Sequence, residues 1–220
     1  MDTQLHADRT RTVLVRGPQL PWVPSPEPGV ERRLLERLGG EIALATSIVR
    51  YRPGSSFPRH VHDGGEEYLV LEGTFSDETG DHPRGTYVRN PPGSSHTPFS
   101  RDGCVIFVKL RQMLADERES VCVTPADRAW RAHQHAGIER ALLYSSARSR
   151  VELLRFSPGA RLPERRVPGG EEILILQGEV ETPDEPAVLD ASSWRRSAAA
   201  EQPPLTSRGG AMLWVKQGHL

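Results

Sequence analysis

The chain has only two cysteines, Cys104 and Cys122, in 220 residues, and no C-x-x-C pair. That excludes a disulfide framework and leaves no thiolate cluster for a metal. Charge of one sign is also missing: 28 basic residues face 29 acidic ones, for a net charge of −1. Such a balance offers neither the broad basic field that nucleic acid requires nor an acidic tail. No apolar run approaches the ~20 residues of a membrane span. The first residues, MDTQLHADRTRT, contain no apolar segment of the secretory-signal kind. The expectation is a soluble cytoplasmic protein with no membrane and no direct nucleic-acid partner. Aromatics make up only 6%, so a core must come chiefly from Leu, Val and Ile.

Glycine and proline, in contrast, are abundant at 20 and 19 residues, which implies frequent turns. Short aliphatic runs lie between them: Thr12–Arg16, Glu41–Tyr51, Glu66–Leu71 and Cys104–Leu110. Runs of this length and spacing read as strands of a sandwich or barrel rather than βαβ units. The expected fold class is all-β. The Pro-rich stretch up to Gly29 reads as irregular, RRLLER (32–37) as a solvated turn, and RQMLADERES (111–120) as a linker with a helical turn.

The chain repeats itself. PRHVHDGGEEYLVLEG (58–73) recurs as PERRVPGGEEILILQG (163–178), at an offset of 105 residues. GVERRLL (29–35) matches GIERALL (137–143), Trp22 matches Trp130, and FVK (107–109) matches WVK (214–216). A repeat of this length is a tandem duplication of one structural unit. The domains expected from it are 1–114 and 115–220.

Within the first copy, His60, His62 and Glu66 stand in an H-x-H-x3-E spacing, and His96 follows the turn Pro91–Pro92–Gly93. Strands alternate faces with period two, so His60 and His62 share a face. Glu66 has the same parity after the Asp63–Gly64–Gly65 turn, and in a barrel that face is the lumen. Glu67 has the opposite parity and is expected to face outward. Three imidazoles and a carboxylate suit one divalent ion, and such nitrogen and oxygen donors admit Zn, Fe, Mn or Ni. Tyr68 shares the ligand parity one step deeper, where it either lines a pocket or fills the core.

With these residues the sequence resembles a cupin. The run from Gly54 through His60, His62 and Glu66 to Gly73 fits the first cupin motif throughout. The run from Gly85 through Pro91 and Gly93 to His96 fits the second, apart from a missing late Asn. The Trp-Pro-rich entry, the DGGEEYLVLEG run and the PPGSSH turn resemble the ChrR cupin-like family. The resemblance implies two tandem double-stranded β-helix (jelly-roll) barrels. It implies one metal per intact site, held by His60, His62, Glu66 and His96, with zinc favoured. It further implies either a sensor module with a sigma factor as partner, or a metal-dependent dioxygenase or related lyase. The substrate would be a small diketone-like or hydroxylated molecule, and a homodimer is compatible with either. Anti-sigma members carry an N-terminal helical part with paired cysteines; without such a pair, the resemblance extends to the cupin part alone.

In the second copy Arg165 stands for His60, Val167 for His62 and about Gln202 for His96, while Glu171 keeps the carboxylate. Arginine has no lone pair to donate, so an Arg165–Glu171 ion pair is expected in place of a metal. His133 and His135 form a second H-x-H without the following Glu and read as a surface loop. His6, His82 and His219 read as exposed, and both cysteines as small buried hydrophobes.

Overall fold

In the computed structural model, which describes residues 3–40, 42–185 and 187–220, every regular element but one is a β-strand. The exception is a single 3-10 turn at Gly17–Gln19. Among the described residues no helix is long and apolar enough to cross a membrane. Glu41, the expected start of the strand that runs Ala43–Tyr51, lies outside the described residues.

The chain forms two compact units: Met1–Ala7 with Leu20–Asp127, and Asp8–Gln19 with Arg128–Leu220. Strand pairing therefore does not follow a division at 114/115. Val121–Val123 pairs with Tyr87–Asn90 in the first unit, and Val13–Arg16 pairs with Ser193–Ser197 in the second. Each unit takes one edge strand from beyond the expected boundary.

In the first unit the main sheet runs Thr3–Leu5, Val30–Gly39, Ala43–Tyr51, Cys104–Leu110, Glu66–Asp77, Tyr87–Asn90, Val121–Val123. A short pair, His60–Val61 with Ser95–His96, sets His60 directly opposite His96. Alternation builds the core: Val49 and Tyr51, Tyr68 and Val70, and Cys104, Ile106 and Val108 all point into one cluster with Val30, Phe75 and Val88. The second unit repeats the scheme with Ile173 and Ile175, Leu213 and Val215, Leu154 and Phe156.

Several sequence expectations change here. RRLLER is not a turn but part of the strand Val30–Gly39. Its period-two pattern is broken by a bulge between Leu34 and Glu36, which buries the extra residue Leu35 and also buries Glu36 and Arg37. The 111–120 linker contains no helix. Glu67 does lie on the other face of its strand from Glu66 but is buried, with Arg89 Nη1 donating to its Oε2 at 3.3 Å. Arg89 also pairs with Glu117 at 3.0 Å.

Gly73 and Gly178, the last residues of the two repeated runs, explain why the repeat keeps glycine there. Both have positive φ, 67° and 69°, and a Cβ on either would lie 2.1 Å from a backbone carbonyl, that of Gly103 or Gly210. Gly54 also has positive φ, 75°, but open space around it. Alanine at Gly73 or Gly178 is expected to cost about 2–3 kcal/mol or more, and at Gly54 about 1 kcal/mol. Thermal unfolding of the three variants checks this ranking.

Candidate metal centre

The turn Asp63–Gly65 folds the chain back so that Glu66 opens its strand beside His62, and the His60–His96 register brings in the fourth side chain. One ligand atom from each of His60, His62, Glu66 and His96 lies within 4.8 Å of all the others. Glu66 Oε2 is 3.5 Å from both His62 Nε2 and His96 Nε2. The imidazole centroids are 4.7 to 5.0 Å apart. His62, Glu66 and His96 are buried, and His60 sits half-exposed at the mouth.

The outer edge of each ring decides which nitrogen faces inward. His60 Nδ1 is 3.0 Å from the Pro58 carbonyl, which can only accept. His96 Nδ1 is 3.0 Å from Asp77 Oδ2, a carboxylate that accepts. His62 Nδ1 is 2.9 Å from Ser94 Oγ, whose own hydrogen goes to the Pro91 carbonyl at 2.6 Å. The serine therefore accepts as well. All three rings carry their proton on Nδ1 and turn an Nε2 lone pair to the common point. His62 Nε2 and His96 Nε2 are buried without a hydrogen-bond partner, a cost that a shared cation removes. Asn90 Nδ2 donates to Glu66 Oε2 at 3.1 Å and orients the carboxylate. Donor chemistry, separations and orphaned lone pairs all fit one divalent ion with bonds of about 2.1 Å.

Sequence reasoning named the four side chains that converge here and missed those behind them. Asp77 belongs to no motif, Asn90 and Ser94 lie within the Gly85–His96 run without marking themselves as partners, and strand pairing is what brings all three in. His82, expected in an exposed loop, is buried on Gly80–Pro83, with Nε2 3.4 Å from Asp77 Oδ1. His219 is half-buried, with Nε2 3.0 Å from Glu172 Oε2, and His6 Nδ1 contacts the Leu35 carbonyl at 2.6 Å. Cys104 is buried, and burial pushes its thiol up to about 11. Cys122, expected to be buried, is exposed, with Sγ 4.0 Å from His82 Nδ1. Tyr68 packs against Phe75, with ring centroids 4.8 Å apart. It is absent from the lining of the cavity beside the site, whereas Tyr51 is part of it.

The second unit preserves the geometry without the donors. Arg165 pairs in register with Gln202 as His60 does with His96. The Arg165 guanidinium donates to both oxygens of Glu171 and, at 2.9 Å, to the Pro203 carbonyl. Gln217 Nε2 adds a bond to Glu171 Oε2 at 2.8 Å. The ion pair expected from the sequence is present, and the Glu171 charge is matched by the Arg165 guanidinium rather than left for a cation.

The ChrR cupin-like domain matches residues 10–114 and again 118–220. The protein is a tandem bicupin of that family. No curated protein is a significant sequence relative. Among solved structures, protein YlbA from E. coli is 14% identical at a TM-score of 0.74, covering 97% of this chain and 93% of its own. The salicylate 1,2-dioxygenase of Pseudaminobacter salicylatoxidans is 11% identical at 0.66, covering 96% and 85%. The oxalate decarboxylase of Lactobacillus farciminis is 11% identical at 0.64, covering 94% and 86%. At such identities the likeness speaks for the fold.

Burial lowers the His62 pKa below the ordinary imidazole value. Burial also opposes a proton on His96, but the Asp77 hydrogen bond and the neighbouring carboxylates outweigh it and raise the pKa above 6.5. Protons therefore compete for His96 first, and metal affinity is expected to fall as pH drops, beginning above 6.5. Asp77→Asn removes the charge that holds this proton. It should weaken binding about 10–100-fold in mildly alkaline buffer and shift the acid limb to lower pH. Metal competition titrations across pH check both signs. Elemental analysis should find one metal equivalent per chain, and His60→Ala should remove it.

Proposed function

We propose that this bicupin is a metal-dependent dioxygenase, or a related lyase, acting on a small diketone-like or hydroxylated molecule. The observation that carries this reading is a cavity of about 290 Å3 bounded by His60, His62 and Glu66 and otherwise walled largely by apolar side chains. A purely structural metal would need no such space. His60, His62, Glu66 and His96 would hold the ion. Iron there supplies dioxygen activation and polarises substrate oxygens, whereas zinc supplies Lewis-acid chemistry alone. The chain's own part is to hold Nε2 lone pairs fixed through Pro58, Ser94 and Asp77. Phe57, Val49 and Ile106 keep water from the substrate's apolar part. The sensor reading, with a sigma factor as partner and zinc bound, draws on the family name, while the cavity favours a small molecule.

Anaerobic loading with Fe(II), then oxygen electrode assays on diketones and hydroxylated aromatics, tests the reading. Substrate-dependent oxygen uptake is expected, lost in His62→Ala. No uptake with any such compound at full iron occupancy overturns the oxygenase form.

A further inference from the structure

The cavity's walls restrict what the site accepts. At about 290 Å3 it lies at the small end of the roughly 300–1,000 Å3 of small-molecule sites. Its surface is mostly apolar, with Val30, Val49, Phe57, Ile106, Val108 and Leu110 among the lining side chains. Four charged side chains border it: Arg32, Arg111, Asp63 and Glu66. Their formal charges cancel, and Arg111 Nη2 already donates to Asp63 Oδ2 at 2.8 Å. A divalent ion on the four ligands then leaves an excess of positive charge at one end of an apolar chamber. A ligand head with a single negative charge offsets part of that excess. A second charge further along the ligand would have to leave water for valine and isoleucine walls. The rim has the same character: Ile42 and Val61 line the cavity yet are 71% and 57% exposed.

We propose that the site takes a monoanionic oxygen chelator. Its head would carry two oxygens and one negative charge, on a compact apolar body no larger than one aromatic ring. Ile42 and Val61 form the apolar entry that selects it. The proposal rests on the metal-site reading above and narrows its substrate class.

The test uses the full chain loaded with Co(II), whose visible spectrum reports first the ion and then a chelator. Three hydroxamates share one ionisable two-oxygen head: acetohydroxamate, benzohydroxamate and 4-carboxybenzohydroxamate. Benzohydroxamate should bind at least about tenfold more tightly than acetohydroxamate through apolar burial, and at least about tenfold more tightly than its carboxylated analogue. Ile42→Lys should narrow the second ratio several-fold, and a ratio within one variant cancels any change in cobalt occupancy. A cobalt spectrum that no hydroxamate perturbs, equal affinity for all three, or tighter binding of the carboxylated probe overturns the proposal and leaves the metal site standing. Absence of any protein-bound cobalt spectrum removes both.

Discussion

Three hydrogen bonds on the outer edges of three imidazoles carry the chemistry of this molecule. A histidine whose Nδ1 were unconstrained could present either nitrogen, or a protonated ring, to the barrel lumen. The Pro58 carbonyl, the Ser94 hydroxyl and the Asp77 carboxylate each act as acceptors at 2.9 to 3.0 Å, and so each fixes a tautomer. What results is a set of converging lone pairs beside the Glu66 carboxylate, formed before any cation arrives. Asp77 is itself held: burial would raise its pKa, but hydrogen bonds from His82, His96 and Thr79 keep it ionised far below the usual carboxylate range. The preorganisation thus extends two residues outward from the ligands.

The fold serves this arrangement through alternation. Glu66, Tyr68 and Val70 share one face of a strand, so a single parity sends Glu66 to the histidine cluster and Tyr68 and Val70 to the core. The same alternation in the second unit places Glu171 equivalently, but there Arg165 fills the space with a guanidinium. The two units show one scaffold with two charge solutions: an acidic residue among neutral imidazoles, which calls for a cation, and an acidic residue already matched by an arginine, which does not.

The convergence of the four side chains and the strands around them were legible because both depend largely on local spacing. His60, His62 and Glu66 lie within seven residues, and two glycines kept in both repeats, Gly65 with Gly170 and Gly73 with Gly178, mark positive-φ positions in each copy. What was not legible depends on pairing at long range. Asp77 meets His96 across 19 residues and Ser94 meets His62 across 32. The bulge at Leu35 destroys the alternation that would have identified its strand. Tyr68 and Tyr51 both pack in the core cluster, and only the fold shows that Tyr51, not Tyr68, also reaches the cavity wall. The Val13–Arg16 and Val121–Val123 pairings follow no local signal, because a duplicated sequence specifies which strands exist more firmly than which copy each one completes.

X-ray absorption at the edge of the bound metal tests the central claim most directly, because it reports donor type and distance together. The account predicts a first shell of three imidazole nitrogens and carboxylate oxygen at about 2.0–2.2 Å, with imidazole multiple scattering. A shell containing sulfur at about 2.3 Å, or one of oxygens alone without imidazole scattering, would contradict it.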